Sequence, residues 1–245
     1  MDHSKAYITF KNRILHFDDD LDLIDILKER VKREDMNSEG TTLFMDQDNS
    51  RHSSVARYTV NDQNRQIVLY HLRSTVYAAY IKDLYEEVTS YFKSVVFEAY
   101  NNASIEPGRI VGEHKITMSS VEILEMLRNG TLAKHVIDSI FQALENEKST
   151  LGLIDKCCKK IGLTIERQLI DDAVNLLEIR HKLVHTDGYA DEAFRGNHPN
   201  LSYDAEGYIQ ISYQTIIDMK NAVFRLIEAV DNQALENHFL HSHIE

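Results

Sequence analysis

The sequence predicts an all-α protein: a helical bundle with an additional helix and a polar loop on its N-terminal side. Only two prolines and nine glycines interrupt the 245 residues, so long apolar segments run without turn signals. Hydrophobic residues make up 43% of the chain, which is enough for one large core. In segment after segment these residues recur at three- and four-residue steps, the spacing of one helix face.

We predict two regions, an N-terminal helix with a polar loop over 1–62 and a helical bundle over 63–240. The first helix is expected over about 18–36, where apolar residues recur at Leu21, Ile24, Leu27 and Val31. The aspartates at 18–20 suit the positive N-terminal end of a helix. Residues 37–64 are rich in Asn, Ser, Asp and Gln, which predicts a loop.

A long helix is predicted over about 63–101, because its apolar residues keep the helical spacing throughout. At about 1.5 Å per residue it would exceed 50 Å, so we expect a kink or break. We expect its aromatic side chains to lie in the core rather than to stack on bases; they are Tyr70, Tyr77, Tyr80, Tyr85, Tyr91, Phe92, Phe97 and Tyr100.

Shorter elements are predicted over the rest of the chain. Pro107-Gly108 indicates a loop, and Ser119 with Glu122 forms a capping box that opens a short helix ending at Arg128. The remaining predictions are helices over 131–146, 149–161, 165–184 and 213–236, a loop over 186–208 and a short strand over 208–211.

Composition and charge narrow the functional classes. The formal net charge of −12 argues against broad nonspecific binding of nucleic acid but permits a small RNA site. No segment approaches the roughly 18 consecutive apolar residues of a membrane span, so we expect no membrane partner. The N-terminal residues lack a signal-peptide layout, and the adjacent Cys157 and Cys158 are expected to be reduced thiols. A cytoplasmic protein is therefore expected.

The segment Arg180-His181-Lys182-Leu183-Val184-His185 is the most informative in the chain. Arg180 continues the apolar stripe of its predicted helix, which is formed by Leu169, Ala173, Leu176, Leu177 and Val184. A guanidinium is always charged and is rarely buried without a partner. Arg180 therefore either meets a carboxylate in the core or faces a cleft or a subunit interface. In the second case it lies beside His185, so a phosphate-binding group and a proton-transferring group stand together.

Two other patterns have simpler interpretations. Arg128 and His135 repeat the residue types, but an Asn-Gly turn separates them and no apolar stripe directs Arg128 inward. The histidines near the C-terminal end are expected to lie in an exposed tail rather than to bind metal. The sequence contains no Gly-rich phosphate loop, Gly-x-Ser-x-Gly elbow or His-Glu-x-x-His motif, so we expect neither a metal nor another cofactor.

The passage from Leu176 to Gly188 resembles the signature of HEPN domains (higher eukaryotes and prokaryotes nucleotide-binding), the family of the Rx4-6H endoribonucleases. In that signature a leucine-rich helix ends in Arg, a polar residue, a few residues, an aliphatic residue and His. The stretch 67–82 looks like the first long helix of the RiboL-PSP-like branch, and the step at 160–163 before the motif helix is similar too. The resemblance covers about 65–235. It departs at His181, where the family most often has Asn or Asp, and at Ala78, where related sequences often have an acidic residue.

The resemblance implies a HEPN-like bundle that cleaves RNA without metal, through attack of the 2′-hydroxyl to give a 2′,3′-cyclic phosphate, and that acts as a homodimer with a composite active site. Arg180 and His185 are the expected catalytic residues, and His181 and Lys182 are expected to bind the RNA. A toxin or antiviral setting, with an antitoxin protein as a partner, is also implied. Two alternatives stay open: a non-catalytic HEPN module that binds a nucleotide, RNA or protein, and a helical scaffold in which Arg180 pairs with an internal acidic residue.

Overall fold

The computed structural model describes residues 2–33, 61–102, 105–145 and 150–243. These residues are mostly helical and include one two-stranded antiparallel sheet, which confirms the all-α prediction. The helices are α1 Lys5–Arg33, α2 Asp62–Asn101, α3 Pro107–Val111, α4 Ser120–Arg128, α5 Leu132–Glu145, α6 Thr150–Ile161, α7 Arg167–His185, α8 Glu192–Asn197 and α9 Tyr213–Glu236. The strands are β1 Ser202–Tyr203 and β2 Ile209–Gln210. Most of the predicted loop over 37–64, up to residue 60, lies outside the described residues.

Helix α1 begins at Lys5, so the predicted start near residue 18 is wrong. The Ser4 hydroxyl accepts a hydrogen bond from the Tyr7 backbone N–H at 3.1 Å and so caps the helix start. The aspartates at 18–20 lie in mid-helix, where Asp18 accepts hydrogen bonds from the Tyr80 hydroxyl at 2.9 Å and Lys220 Nζ at 3.0 Å. Asp18 thus connects α1 to α2 and α9, and none of the three aspartates marks a helix end.

We expected a kink or a break in α2, and there is no break, since it is one uninterrupted helix of 40 residues. It packs against α1, α3, α5, α6, α7 and α9, and these contacts support its length. Most of its aromatic side chains are buried or packed against the core, as predicted. Tyr70 is the exception, since 57% of it is exposed near the start of the helix.

The shorter elements follow the sequence signals closely. The capping box of Ser119 and Glu122 is formed at the start of α4, and β2 matches the predicted strand, pairing Ile209 with Tyr203. Helix α3 replaces the expected loop after Pro107, because Ile110 is buried and anchors it to the core. Helix α8 lies inside the predicted loop over 186–208.

A buried carboxyl ties the chain together near the end of α9. Asp231 is fully buried and accepts hydrogen bonds from the Ser4 backbone N–H at 3.1 Å, the Ser4 hydroxyl and the Tyr91 hydroxyl at 3.3 Å. The His243 backbone N–H donates to the His3 carbonyl at 2.8 Å. The segment after α9 is therefore held by its backbone, while its three histidine side chains are exposed.

Both cysteines of α6 are free and buried, as expected for reduced thiols. Burial raises the pKa of Cys158 to about 12, which keeps its thiol protonated and unreactive at neutral pH. Among the described residues, none of the helices combines the length and the apolarity that a membrane span requires.

Candidate active site

The candidate site lies at the C-terminal end of α7, where the chain turns sharply. The backbone N–H groups of Thr186 and Gly188 both donate to the Lys182 carbonyl, at 3.0 and 2.9 Å. Asp187 and Gly188 have φ angles of 50° and 89°. Glycine adopts this left-handed conformation freely and aspartate tolerates it, so the Asp-Gly pair ends the helix immediately after His185.

Arg180 lies at the boundary between the core and the surface. Ala173 and Leu177, which precede it on the stripe, are fully buried inside the chain, whereas Val184 at the end of the stripe is 41% exposed. The guanidinium carbon of half-buried Arg180 lies 4.6 Å from the centre of the Tyr85 ring on α2. This distance is within the range of a cation–π contact.

The polar contacts of Arg180 are incomplete. Its Nε atom is buried and has no hydrogen-bond partner among the described residues. Among the described residues, no carboxylate lies within ion-pair distance of the Arg180 guanidinium. The described residues therefore do not supply the internal acidic partner that one alternative required, and Tyr85 supports the face of the guanidinium instead.

The two histidines of the motif lie together on the surface. The ring centres of His181 and His185 are 4.5 Å apart, with the ring planes tilted by 47°. Both side chains are exposed, and so is Val184 between them. Two imidazoles one helical turn apart form a pair that a single substrate can reach.

Within one chain, Arg180 is directed away from the histidine pair. Residues five apart on a helix are separated by about 140° around the axis and about 7.5 Å along it. Arg180 accordingly contacts Tyr85 on α2, whereas His185 contacts His181 on the exposed side. The fold thus brings the two histidines together and leaves Arg180 on a neighbouring face of the same helix end.

Lys182 has an intramolecular partner that the sequence analysis did not predict. Its Nζ lies 2.7 Å from the Asp191 carboxylate and 5.1 Å from the centre of the Phe194 ring. The hydrogen bond from Lys182 and that from the Phe194 backbone N–H hold the pKa of Asp191 below its usual range. Lys182 can therefore bind RNA only if a phosphate replaces Asp191 as its partner. The ion pair that would be lost is a weak surface interaction.

Neither the contact between Tyr85 and Arg180 nor the cavity beside the helix end follows from the sequence. A cavity of about 310 Å³ lies between the start of α2, the end of α7 and β2, and Leu183 forms part of its wall. The second arginine–histidine pair differs from the motif, because Arg128 is fully on the surface at the end of α4.

No metal site accompanies these residues in the described ranges, where no three His, Cys, Asp or Glu side chains cluster as ligands would. The candidate site consists of one guanidinium on an aromatic ring and two exposed imidazoles. The chain matches no family model, no curated protein and no solved structure.

Proposed function

We propose that this protein is a metal-independent endoribonuclease of the HEPN type that acts as a homodimer. The observation that carries the proposal is the Arg180 guanidinium, which rests on Tyr85 with an unpartnered buried Nε, at the same helix end as an exposed histidine pair. A planar guanidinium fork suits phosphate oxygens, and imidazoles transfer protons near neutral pH. A cytoplasmic toxin or antiviral role, with an antitoxin as a possible partner, belongs to the same proposal.

The proposed reaction uses the 2′-hydroxyl of RNA as the nucleophile. The 2′-oxygen bonds to the adjacent phosphorus, and the bond from phosphorus to the 5′-oxygen breaks. The products are a 2′,3′-cyclic phosphate and a 5′-hydroxyl. One imidazole of the His181–His185 pair accepts the 2′-hydroxyl proton, and a protonated imidazole donates a proton to the leaving 5′-oxygen. Arg180 stabilises the charge that develops on the non-bridging oxygens.

A second subunit completes the proposed site. Because Arg180 and His185 face different directions in one chain, the histidines of one subunit need the arginine of the other. A twofold axis places the same patch opposite itself, so the exposed Val184 would pack against its own copy. The dimer surface would then be this helix end, and the buried part of the stripe would remain inside each subunit.

The first experiment measures cleavage of a mixed-sequence RNA in EDTA. We expect Arg180→Ala and His185→Ala to lower the initial rate by at least about 100-fold, because each removes a group that acts in the transition state. Arg128→Ala and His135→Ala are the matched controls and should cleave like wild type. The 3′ ends of the products should carry cyclic phosphates. Equal rates for wild type and both site variants would exclude the nuclease.

The second experiment tests the composite site with a heterodimer purified through two different tags. One subunit carries Arg180→Ala and the other carries His185→Ala. If each site takes its arginine and histidine from different subunits, one of the two sites stays intact and the heterodimer keeps about half of the wild-type activity. If both groups come from the same subunit, the heterodimer is inactive.

A non-catalytic HEPN module that binds RNA, a nucleotide or a protein is the second candidate. Two observations favour it: His181 replaces the Asn or Asp most often found in the family, and Lys182 is already paired with Asp191. This candidate predicts saturable RNA binding that Arg180→Ala weakens, with no cleavage by wild type in the first experiment.

A further inference from the structure

The cavity beside the end of α7 has the position of a substrate subsite. Its volume is about 310 Å³, and its lining comes from three elements that are distant in the sequence. Its lining includes Leu183 and Asp187, which lie two positions before and two positions after His185 at the helix end. RNA bound at the histidine pair therefore has this cavity beside it for one of its bases.

The walls of the cavity combine an apolar surface with exposed aromatic rings. Tyr70 and Tyr208 both line it, and they are 57% and 40% exposed. The Tyr208 ring meets the Tyr189 ring edge-on at 5.7 Å, and the two residues form a backbone bridge, so Tyr208 is held in place. The apolar lining comes from Leu69, Leu183, Ile209 and Ile211. Single-stranded RNA is bound by stacking its bases on such rings.

Two polar side chains at the cavity have no hydrogen-bond partner among the described residues. They are the Asp187 carboxylate and the Gln66 amide. The amide of Gln210, by contrast, already donates to Asp204 at 3.2 Å. An ionised carboxylate only accepts hydrogen bonds. Guanine presents two adjacent donors, N1–H and the 2-amino group, that fit its two oxygens, and no other standard RNA base offers this pair.

We infer that this cavity binds a guanine base adjacent to the cleaved phosphate. The base would stack on the tyrosine rings, donate to Asp187 and interact through its O6 with the Gln66 amide. A carboxylate at the cavity disfavours phosphate, so the cavity recognises the base and not the RNA backbone. The RNA context of this inference rests on the proposed nuclease function, but binding of the base alone can be measured separately.

The test is calorimetric titration of the full-length protein with the 3′-monophosphates of guanosine, adenosine, cytidine and uridine. The phosphate that all four ligands share contributes equally to their affinities, so any difference in affinity comes from the base. We expect guanosine 3′-monophosphate to bind at least about tenfold more tightly than the other three. Equal affinities for all four, or no saturation by any of them at millimolar concentration, would overturn the inference.

Three variants locate the contacts. Asp187→Asn tolerates the left-handed backbone as well as aspartate does, but it replaces one acceptor with N–H donors. It should abolish the guanine preference, and an unchanged preference would contradict the role of Asp187. Tyr208→Ala should weaken guanosine 3′-monophosphate binding by about tenfold, whereas Tyr208→Phe keeps the ring and should bind like wild type.

The two proposals fail in different ways. Guanine-selective binding without RNA cleavage would remove the nuclease and keep the cavity as a base-binding site. Cleavage without any preference for guanosine beside the cut would keep the nuclease and remove this inference. When both hold, the cut sites of wild type lie next to guanosines, and Asp187→Asn loses that bias.

Discussion

Asp231 and Arg180 are both charged residues placed against the same long helix, yet their surroundings are opposite. Asp231 is fully buried and accepts hydrogen bonds from both Ser4 groups and from Tyr91. Arg180 is half-buried, and its Nε has no partner among the described residues. A buried polar group that serves stability is usually saturated by protein partners. The unsaturated arginine is the one that retains donors for a ligand.

The positions of the two residues support the same distinction. The partners of Asp231 come from the start of α1 and from α2, so this carboxyl joins three helices. Arg180 stands near a helix end, on the face beside that of the exposed pair of His181 and His185. We therefore interpret Asp231 as a structural residue and Arg180 as a functional one, and the predictions below test that contrast.

The largest effect on stability is expected for Asp231→Ala. The substitution leaves the Ser4 and Tyr91 donors buried without an acceptor, so the free energy of unfolding should fall by about 3–5 kcal/mol. Urea denaturation followed by circular dichroism measures this change. Asp231→Asn keeps one acceptor oxygen and should cost less. A loss below about 1 kcal/mol for Asp231→Ala would show that the carboxyl does not hold the helices together.

A much smaller change is expected for Arg180→Ala. The substitution removes a cation–π contact and no hydrogen bond between described residues, so it should lower the free energy of unfolding by about 1 kcal/mol or less. Arg180→Met keeps the apolar stem and controls for lost packing. Urea denaturation is again the measurement. A loss as large as that of Asp231→Ala would make Arg180 a structural residue.

The smallest effect on stability is expected for Asp191→Asn. The hydrogen bond from Lys182 lowers the pKa of Asp191. A lowered folded-state pKa stabilises the protein at pH values above the usual carboxyl range, and this contribution disappears as the pH falls through the lowered pKa. Asp191→Asn keeps a cap oxygen for Phe194 but loses the charge. The melting temperatures of wild type and variant should therefore differ most near neutral pH and converge in acid. Because the pair is exposed, added salt should reduce the difference.

Sequence periodicity predicted most helices, and the failures have physical causes. The capping box at Ser119 and the apolar spacing of α9 depend on neighbouring residues, which are visible in the sequence. The predicted start of α1 is wrong because the aspartates at 18–20 resemble a helix N-terminus, whereas Asp18 binds Tyr80 and Lys220, which are distant in the chain. Helix α8 has no buried residues, so its sequence contains no apolar stripe that would predict a helix.

The candidate site was predictable only in part. The spacing of Arg180 and His185 along one helix is a local property, and so is the Asp-Gly turn that follows. The ring of Tyr85 under the guanidinium and the meeting of Tyr70 with Tyr208 at one cavity depend on how α2 packs against the rest of the fold. The helical spacing placed Tyr70 among core aromatics, and only the packing shows that it is exposed.

We expect the described helices to unfold together because α2 contacts most of them. It packs against six other helices, so its loss would remove support from all of them. We therefore expect a molecule that binds at Tyr70, in the third turn of α2, to raise the melting temperature of the described helices together. Nucleotides, RNA fragments and small inhibitors can thus be screened by thermal shift before any catalytic assay is available.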